Sequence, residues 1–574
     1  MLSRLVCARP PFNVAHPLND MTTNTIPIPF DDRTGNVLRE FDMALSISEN
    51  AVNSQLADAW RRWARSVSGF RKLAPAEATP GALEVTLDVP TVSFNLDTGN
   101  RADVGLIFPF LKGTIDVPGE GRIDLKGWRL CFTSRLSRRE VKPGALRELD
   151  EESYEKVDDA IGQMALDEGT FSIECLFLDL SAIANIAPGS FFLDPASAPR
   201  PPLSQGAVDA VRRSLDLTML GKELLLQTVV FPRVKPRDPT FALRSYALKV
   251  NRNRDDPRAS TLDYLGVFWD GRPMPSAAVC DDALRHLDPW LDPDRVDGRR
   301  AMVQGVMTIR GDKITEHIRR DLEEGLRACY QRMAAANQAI PSSRIKDPAR
   351  DLPWPEAELL HDIVIRADDR RIVLRQNDAR NTYRWKDDDT SFELVKTLDM
   401  TLEARSGGGY RIDGTITATL YRSRSVLFGF TSDARAETST SIGGTMRLAA
   451  KLQKDANEIP TGFNIVPELD LQFGTPVESS SGNGDWFREG VLQIRNSWDL
   501  RQARAFAADS REAVGRMLTA SVADINIEMD QVAFIPPGEE VFTFQAPRFN
   551  RARDLMLDVM YLGVLPQGLP PAGN

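Results

Sequence analysis

The sequence predicts an α+β protein of two elongated modules, each with a long curled antiparallel sheet packed on one long amphipathic helix. Three observations support this fold class. Apolar and polar residues alternate with a period of two over long runs, helical periodicity extends over only two long segments, and a strand–helix–strands pattern occurs once in each half of the 574-residue chain. Strands with one apolar and one polar face are typical of large antiparallel sheets covered on one side.

The predicted strands are runs of alternating residues bounded by turn signals. In the first half, the alternation of Leu83–Val89 continues beyond Pro90. In the second half, the runs Phe392–Ala404 and Tyr410–Tyr421 flank Ser406–Gly409, whose glycines indicate a hairpin turn. The other runs are Thr170–Leu180, Phe241–Val250, Leu262–Trp269, Ser441–Leu452 and Phe463–Phe473.

Two long helices are predicted from apolar stripes with helical spacing. The first follows Ser48, positioned as N-cap, and continues to Ser66; the second covers Asp312–Met333. Shorter helices are expected at Glu151–Leu166, Ala207–Leu215 and Leu500–Leu518. The stripe residues are Val52, Leu56, Trp60 and Trp63 in the first long helix and Ile314, Ile318 and Leu322 in the second.

An internal repeat accounts for this pattern. The strand Ala44–Ile47 precedes the first long helix, and Val306–Ile309 precedes the second. When these strands are aligned, Val52 matches Ile314. Each helix is followed by alternating strands, so the sequence predicts two modules of similar build.

The boundary between the modules is predicted in the segment 288–297. Asp288-Pro289 and Asp292-Pro293 interrupt helix geometry there, and the second copy of the repeat begins just after. The first module is therefore expected to cover 36–292 and the second 298–574. Residues 1–35 are expected to form a disordered N-terminal extension, and the sequence leaves open whether the C-terminal strands cross to the other module.

Charge and cysteine content exclude several classes of protein. The net charge is −10 and the pI is about 5.3, which argues against nucleic acid as a partner because phosphate binding needs clustered Lys and Arg. Basic pairs such as Arg319-Arg320 are interleaved with acids, so we expect solvated faces. The five cysteines are scattered and odd in number, which indicates a reducing compartment rather than a disulfide scaffold or zinc site.

We expect no signal peptide at the N-terminus. The apolar stretch Leu5–Ala8 is shorter than the roughly 7–15 residues that such a signal needs, and no window approaches the roughly 18–20 apolar residues of a membrane span. Arginine far outnumbers lysine, as in proteins of GC-rich bacterial genomes. We therefore expect a soluble, cytoplasmic bacterial protein with at most peripheral membrane contact; export by a non-classical route stays open.

Residue sets that carry catalysis or hold metals are missing from the sequence. None of the four histidines lies in an HExxH pattern, and the chain has no GxSxG nucleophile elbow. Asp292–Gly298 departs from the order of a calcium loop and lacks its closing Glu. The sequence therefore predicts no enzymatic activity, no metal and no cofactor. His317 is expected at the edge of the second helix stripe.

Four stretches resemble the tubular lipid-binding (TULIP) superfamily, and most closely the OrfX and forty-seven-kilodalton proteins of clostridial toxin clusters and their bacterial relatives. The chain departs from the clostridial members in its richness in arginine and in its extra segment Met1–Asp32. The similar stretches are Leu45–Asn53, Phe171–Leu180, Leu262–Leu265 with Gly271–Pro275, and Phe534–Gly538 with Val541–Phe544.

The resemblance implies that each highly curved sheet wraps around its helix and leaves an apolar tunnel or groove for lipid. Under this hypothesis the partner is a lipid or another elongated apolar ligand, and the seven stripe residues line the groove. The alternative is that these residues are ordinary core. The protein would then be an interaction or toxin-accessory protein with filled modules and a protein partner.

Overall fold

The structure is a computed structural model. The predicted extension, 1–35, lies outside the residues that it describes, as do residues 536–538 of the fourth stretch that resembles the family. The described residues are 38–66, 72–73, 83–95, 103–163, 170–180, 186–194, 197–219, 223–235, 241–253, 259–286, 290–291, 303–336, 363–368, 371–376, 382–387, 390–407, 409–426, 430–454, 460–482, 511, 514–523, 525, 527–528, 534–535 and 541–562.

The helices are α1 (Glu49–Ser66), α2 (Pro143–Leu149), α3 (Glu151–Gln163), α4 (Gln205–Met219), α5 (Ala277–His286), α6 (Gly311–Ala336) and α7 (514–523). The long helices α1 and α6 confirm the two predicted from the apolar stripes. Ser48 is the N-cap of α1, since its Oγ accepts a hydrogen bond from the Ala51 N–H at 3.2 Å. The sequence did not predict α2 and α5.

The strands are β1 (Met43–Ser48), β2 (Lys72–Leu73), β3 (Leu83–Leu87), β4 (Thr91–Ser93), β5 (Asp103–Val117), β6 (Gly121–Asp124), β7 (Trp128–Val141), β8 (Phe171–Asp179), β9 (Phe191–Leu193), β10 (Glu223–Pro232), β11 (Leu243–Asn251), β12 (Thr261–Phe268), β13 (Gly305–Ile309), β14 (Ile363–Ala367), β15 (Arg371–Gln376), β16 (Thr382–Asp387), β17 (Thr390–Arg405), β18 (Gly409–Val426), β19 (Phe430–Lys454), β20 (Pro460–Phe473), β21 (Val477–Gly482), β22 (Ile527–Glu528), β23 (Phe534–Ile535), β24 (Val541–Phe549) and β25 (Leu555–Leu562). Because side chains alternate between the two faces of a strand, the period of two located most of these correctly.

The first sheet joins segments from distant parts of the chain in the order β11-β12-β1-β13-β25-β24. Ile47 of β1 lies opposite Leu262 of β12 on one side and Gly305 of β13 on the other. Every residue of β1, β12 and β13 is buried. One face of the sheet contributes residues such as Ile47 and Leu262 to the most extensive apolar cluster of the described residues, here called the main core. The other face packs in part against α5, where Leu265 and Leu284 belong to a second apolar cluster.

The second sheet is built mainly from the first half of the chain, in the order β2-β3-β5-β7-β8-β10-β23. The strands β4 and β6 also pair with β5, and β9 pairs with β7. The C-terminal strand β23 joins this sheet, with Phe534 opposite Val229 of β10. A C-terminal strand thus crosses to the sheet of the first half, which the sequence left open.

The third sheet consists of very long strands in the order β14-β15-β17-β18-β19-β20-β22, with β16 on β17 and β21 on β19. The 25 residues of β19 correspond to about 80 Å at the usual rise of a strand. One face buries apolar side chains such as Leu402 and Ile412. On the other face, the hydroxyls of Thr417 and Ser439 lie 3.2 Å apart, so the predicted apolar and polar faces are confirmed.

The chain is therefore β-rich, with curled antiparallel sheets and a few helices, in agreement with the predicted α+β class. Of the predicted boundary segment, only Trp290 and Leu291 are described, and the division into 36–292 and 298–574 stays a prediction. The first sheet pairs β1 with β13, and each predicted module contributes three of its six strands.

Candidate functional site

The stripe of α1 faces the main core. Val52, Leu56 and Trp60 are all buried there, Leu56 completely. The ring of Trp60 meets Phe108 of β5 edge-on, with centroids 6.0 Å apart. The side chain of Trp63, the fourth predicted residue, lies outside the described part of the chain.

The stripe of α6 is buried in the same way. Ile314, Ile318 and Leu322 belong to the main core, together with residues of the first sheet and of α7. The helices α6 and α7 approach closely at Gly325, where a Cβ would lie 3.1 Å from the Cα of Ser521. The structure thus brings each stripe to the core face of its own helix.

The degree of burial limits the space beside these helices. Leu56, Ile314, Ile318 and Leu322 have 0% of their surface accessible. A side chain with no accessible surface touches no space large enough for a water molecule, and an acyl chain is wider than a water molecule. These four side chains are therefore enclosed by protein atoms on all sides. Their assignment to a lipid groove stays a prediction.

A polar contact of α1 was not predicted from the sequence. The side-chain oxygen of Asn53 accepts a hydrogen bond from the Val92 N–H at 2.6 Å, and its side-chain nitrogen donates to the Val92 carbonyl at 2.9 Å. One turn earlier, the Phe94 N–H donates to Oε2 of Glu49 at 2.7 Å. Two helix side chains thereby bind the edge of β4 and the residue that follows it.

The Glu49 carboxyl is held in an environment that disfavours its charge. Burial raises its pKa to about 7, and the hydrogen bond from the Phe94 N–H opposes that effect. The carbonyl of the same residue is bound by Arg252, which donates from Nε to it at 3.0 Å and from Nη2 to the Asp103 carbonyl at 3.3 Å. Residue 94 is thus fixed at both its backbone N–H and its carbonyl.

A second polar cluster surrounds the N-terminus of α6. Arg310 binds Asp312 with a bond of 2.9 Å from Nε, and its Nη1 lies 3.4 Å from the carboxylate of Asp42. Asp554, in the turn between β24 and β25, accepts from the Gly311 N–H at 3.1 Å. Anionic groups are stabilised at a helix N-terminus, where N–H groups lack partners within the helix. This cluster joins the segment before β1, the helix α6 and the hairpin formed by β24 and β25, here called the C-terminal hairpin.

Burial is also the largest influence on the pKa values of two carboxyls in this cluster. It raises the pKa of Asp554 to about 6, against the bonds from Gly311 and Asn550 and the charge of Arg310. It raises the pKa of Asp42 as well, although Asp42 accepts from the Phe268 N–H at 3.0 Å. Both carboxyls therefore bind protons more readily in the folded protein than in an unfolded chain.

His317 was expected at the edge of the α6 stripe, and it is buried beside it. Its ring lies 4.9 Å from the ring of Phe241, and its Nε2 is 3.8 Å from the Asp321 carboxylate. Burial, with the nearby charge of Arg320, lowers its pKa to about 4. His317 is therefore neutral at physiological pH and serves as part of the core. Arg319 pairs with Glu316 and Glu323 on the outer side of the same helix, as expected for a solvated face.

Two further features of the described residues bear on function. Among them, no group of three or more His, Cys, Asp or Glu side chains is placed to hold a metal ion. None of the helices found in these ranges is long and apolar enough to cross a membrane.

The functional candidates that sequence reasoning missed are the contacts of Glu49, Asn53 and Asp554. Glu49 and Asn53 lie one helical turn apart beside the apolar stripe, and that spacing was the available signal. Asp554 is separated from Gly311 by 243 residues, and no local pattern indicates such a contact.

The fold and these sites define a β-rich α+β protein with two long helices whose described stripe residues are buried. No protein-family model matches the chain, and no curated protein does.

The solved structures that are similar to the chain include two P47 proteins. P47 from Clostridium botulinum A2 has a TM-score of 0.41 and 8% identity, covering 91% of this chain and 98% of its own. P47 of Clostridium botulinum E1 has a TM-score of 0.40 and 9% identity, covering 91% and 99%. The resemblance to the forty-seven-kilodalton proteins of clostridial toxin clusters, stated from the sequence, is thus confirmed as a resemblance. Similarity at this level carries no argument about function.

Proposed function

We propose that the protein is a non-enzymatic interaction protein with TULIP-like modules that are filled, and that it binds a protein partner through its surface. The observation that supports this proposal is the absence of any accessible surface on Leu56, Ile314, Ile318 and Leu322. If α1 and α6 bordered an open tunnel, these residues at the centre of the stripes would be its lining.

The second candidate function is binding of a lipid or another elongated apolar ligand. The observation that favours it is the attachment of β4 to α1 by two side chains, Glu49 and Asn53. Release of these bonds would separate the strand from the helix and open a route into the core beside Val52. Under this alternative, the protein is closed without ligand and opens to take it up.

Replacement of Leu56 by Trp distinguishes the two functions. In a filled core the larger side chain has no room, and overpacking should cost about 1–3 kcal/mol. In a ligand tunnel the side chain would occupy the space of the ligand, so the variant would fold normally and lose lipid. Asn50→Trp is the matched control, because Asn50 is exposed on the same helix, and a surface change should alter stability by less than about 0.5 kcal/mol.

The measurements are native mass spectrometry with lipid extraction, and thermal unfolding of the same preparations. We expect wild-type protein without lipid, a destabilised Leu56→Trp variant and a control that unfolds as the wild type does. Lipid bound to the wild-type protein, and lost from a Leu56→Trp variant of unchanged stability, would replace this proposal by the second candidate.

A further inference from the structure

The segment Thr91–Asn95, here called the strap, has two different neighbours along its two edges. One edge pairs with β5, where Val92 lies opposite Leu106. The other edge faces α1, and its backbone groups are bound by side chains instead of a strand. The strap is therefore an edge strand in which the helix satisfies the N–H and carbonyl of Val92 and the N–H of Phe94.

The spacing of Glu49 and Asn53 along the helix matches the spacing of their partners along the strand. Glu49 and Asn53 are four residues apart, which is about 6 Å along a helix. Their partners Val92 and Phe94 are two residues apart, which is about 6.7 Å along a strand. The two helix side chains therefore reach two successive outward-facing N–H groups of the strap.

The strap covers the core beside α1. Val92 and Phe94 are buried and belong to the main core, as do Val52 and Leu56 of the helix. Separation of the strap from α1 would expose both pairs of side chains. The hydrogen bonds of Glu49 and Asn53 therefore hold a cover over apolar residues.

We propose that the strap is a pH-sensitive latch, held closed by Glu49 and Asn53 in mildly acidic solution and loosened as the pH rises to neutrality. This inference goes beyond the proposed function, because it holds whichever partner or ligand the protein binds.

The pH dependence follows from the different character of the two side chains. Asn53 does not titrate, so the strength of its two hydrogen bonds does not change with pH. Glu49 has a pKa of about 7 in the closed state, raised by burial from the 4.5 of an ordinary Glu. Since a raised pKa means that the closed state favours the protonated carboxyl, the closed state loses stability as the pH rises from 4.5 to about 7.

A charged side chain from the segment after β11 also binds the strap. Arg252 donates to the carbonyls of Phe94 and Asp103, and Asp103 follows in β5. Burial is nevertheless the largest influence on the Glu49 pKa, and the Phe94 N–H is the group that opposes it. Opening of the strap hydrates the carboxyl and allows it to ionise at its ordinary pKa.

Hydrogen exchange of the intact protein, followed by mass spectrometry at pH 5, 6, 7 and 7.5 and corrected for intrinsic rates, tests the latch. A single linked proton changes an opening equilibrium by up to about tenfold per pH unit. We expect protection of the Val92 and Phe94 amides to fall more than tenfold between pH 5 and pH 7.5. Peptides from the buried strand β12 should show no such change in the same samples.

Two variants separate the contributions of the latch. Glu49→Gln keeps the size and an acceptor but cannot ionise, so its strap protection should become independent of pH. Asn53→Ala should lower protection at every pH and keep the pH dependence. The matched control, Glu324→Gln, changes an exposed acid of α6 and should behave as the wild type does.

A carboxyl-carbon NMR titration of the wild-type protein provides a measurement that needs no variant, and Glu49 should titrate near pH 7. The latch is refuted if strap protection in the wild type does not depend on pH, if Glu49→Gln retains the wild-type pH profile, or if the Glu49 carboxyl titrates near 4.5.

Discussion

Gly311, the first residue of α6, lies too close to the C-terminal hairpin to carry a side chain. A Cβ at this position would be 2.1 Å from the carbonyl oxygen of Arg553 and 2.9 Å from its carbonyl carbon. Carbon–oxygen contacts in proteins are about 3.3 Å or longer. In the variant Gly311→Ala, the turn between β24 and β25 must therefore move by about 1 Å.

Three contributions determine the size of the effect. Overpacking costs about 1–3 kcal/mol. Loss of the bond between the Gly311 N–H and Asp554 leaves a buried donor without a partner, which costs about 1–3 kcal/mol. The higher helix propensity of alanine returns at most about 1 kcal/mol. Taken at the middle of the first two ranges, these contributions lead us to expect that Gly311→Ala lowers the free energy of unfolding by about 3 kcal/mol.

Urea unfolding measures this change through the transition midpoint at constant slope. The matched control is Gly162→Ala in α3, because a Cβ there would have no neighbour within 4 Å. That variant should be stabilised by up to about 1 kcal/mol through helix propensity alone. If Gly311→Ala were as stable as Gly162→Ala, the close contact between α6 and the C-terminal hairpin would be wrong.

Two further predictions concern buried charges. The pKa of Asp554 is raised from 3.8 to about 6, so its contribution to the free energy of unfolding should decrease as the pH rises through this range. In the variant Asp554→Asn, the melting temperature measured between pH 4 and pH 7 should therefore depend less on pH. The same pH dependence as in the wild type would contradict the raised pKa of Asp554. Arg548→Ala breaks a buried pair with Asp558 at 2.9 Å and should destabilise by about 3–5 kcal/mol in urea unfolding. The exposed pair Arg375–Asp399 is its control, and Arg375→Ala should cost at most about 1 kcal/mol; equal losses would refute the difference in burial.

Most of the local structure was predictable from the sequence. The period of two located the long strands β17 and β18, and the helical stripes located α1 and α6. Such patterns arise because each element buries one face and exposes the other. The short helices α2 and α5 were missed, since seven to ten residues contain too few turns for a clear stripe.

The candidate sites were predictable only in part. The stripes of α1 and α6 correctly identified residues that enter the core, such as Leu56 and Ile318. Periodicity reports burial, and burial alone does not distinguish a tunnel lining from a filled core. The complete lack of accessible surface on these side chains is a property of the packing around them.

The sequence by itself determined the β-rich α+β class, the two long amphipathic helices and the faces that they bury, because these depend on residues close together in the chain. Only the tertiary structure decided the order of the first sheet, the crossing of β23 to β10, and the contacts of Glu49 with Phe94 and of Asp554 with Gly311. These features depend on strand register and on the approach of segments up to 307 residues apart, the separation of Thr228 and Ile535. A hydrogen bond between distant backbone and side-chain groups leaves no periodic trace in the sequence, so its partners become visible only when the chain is folded.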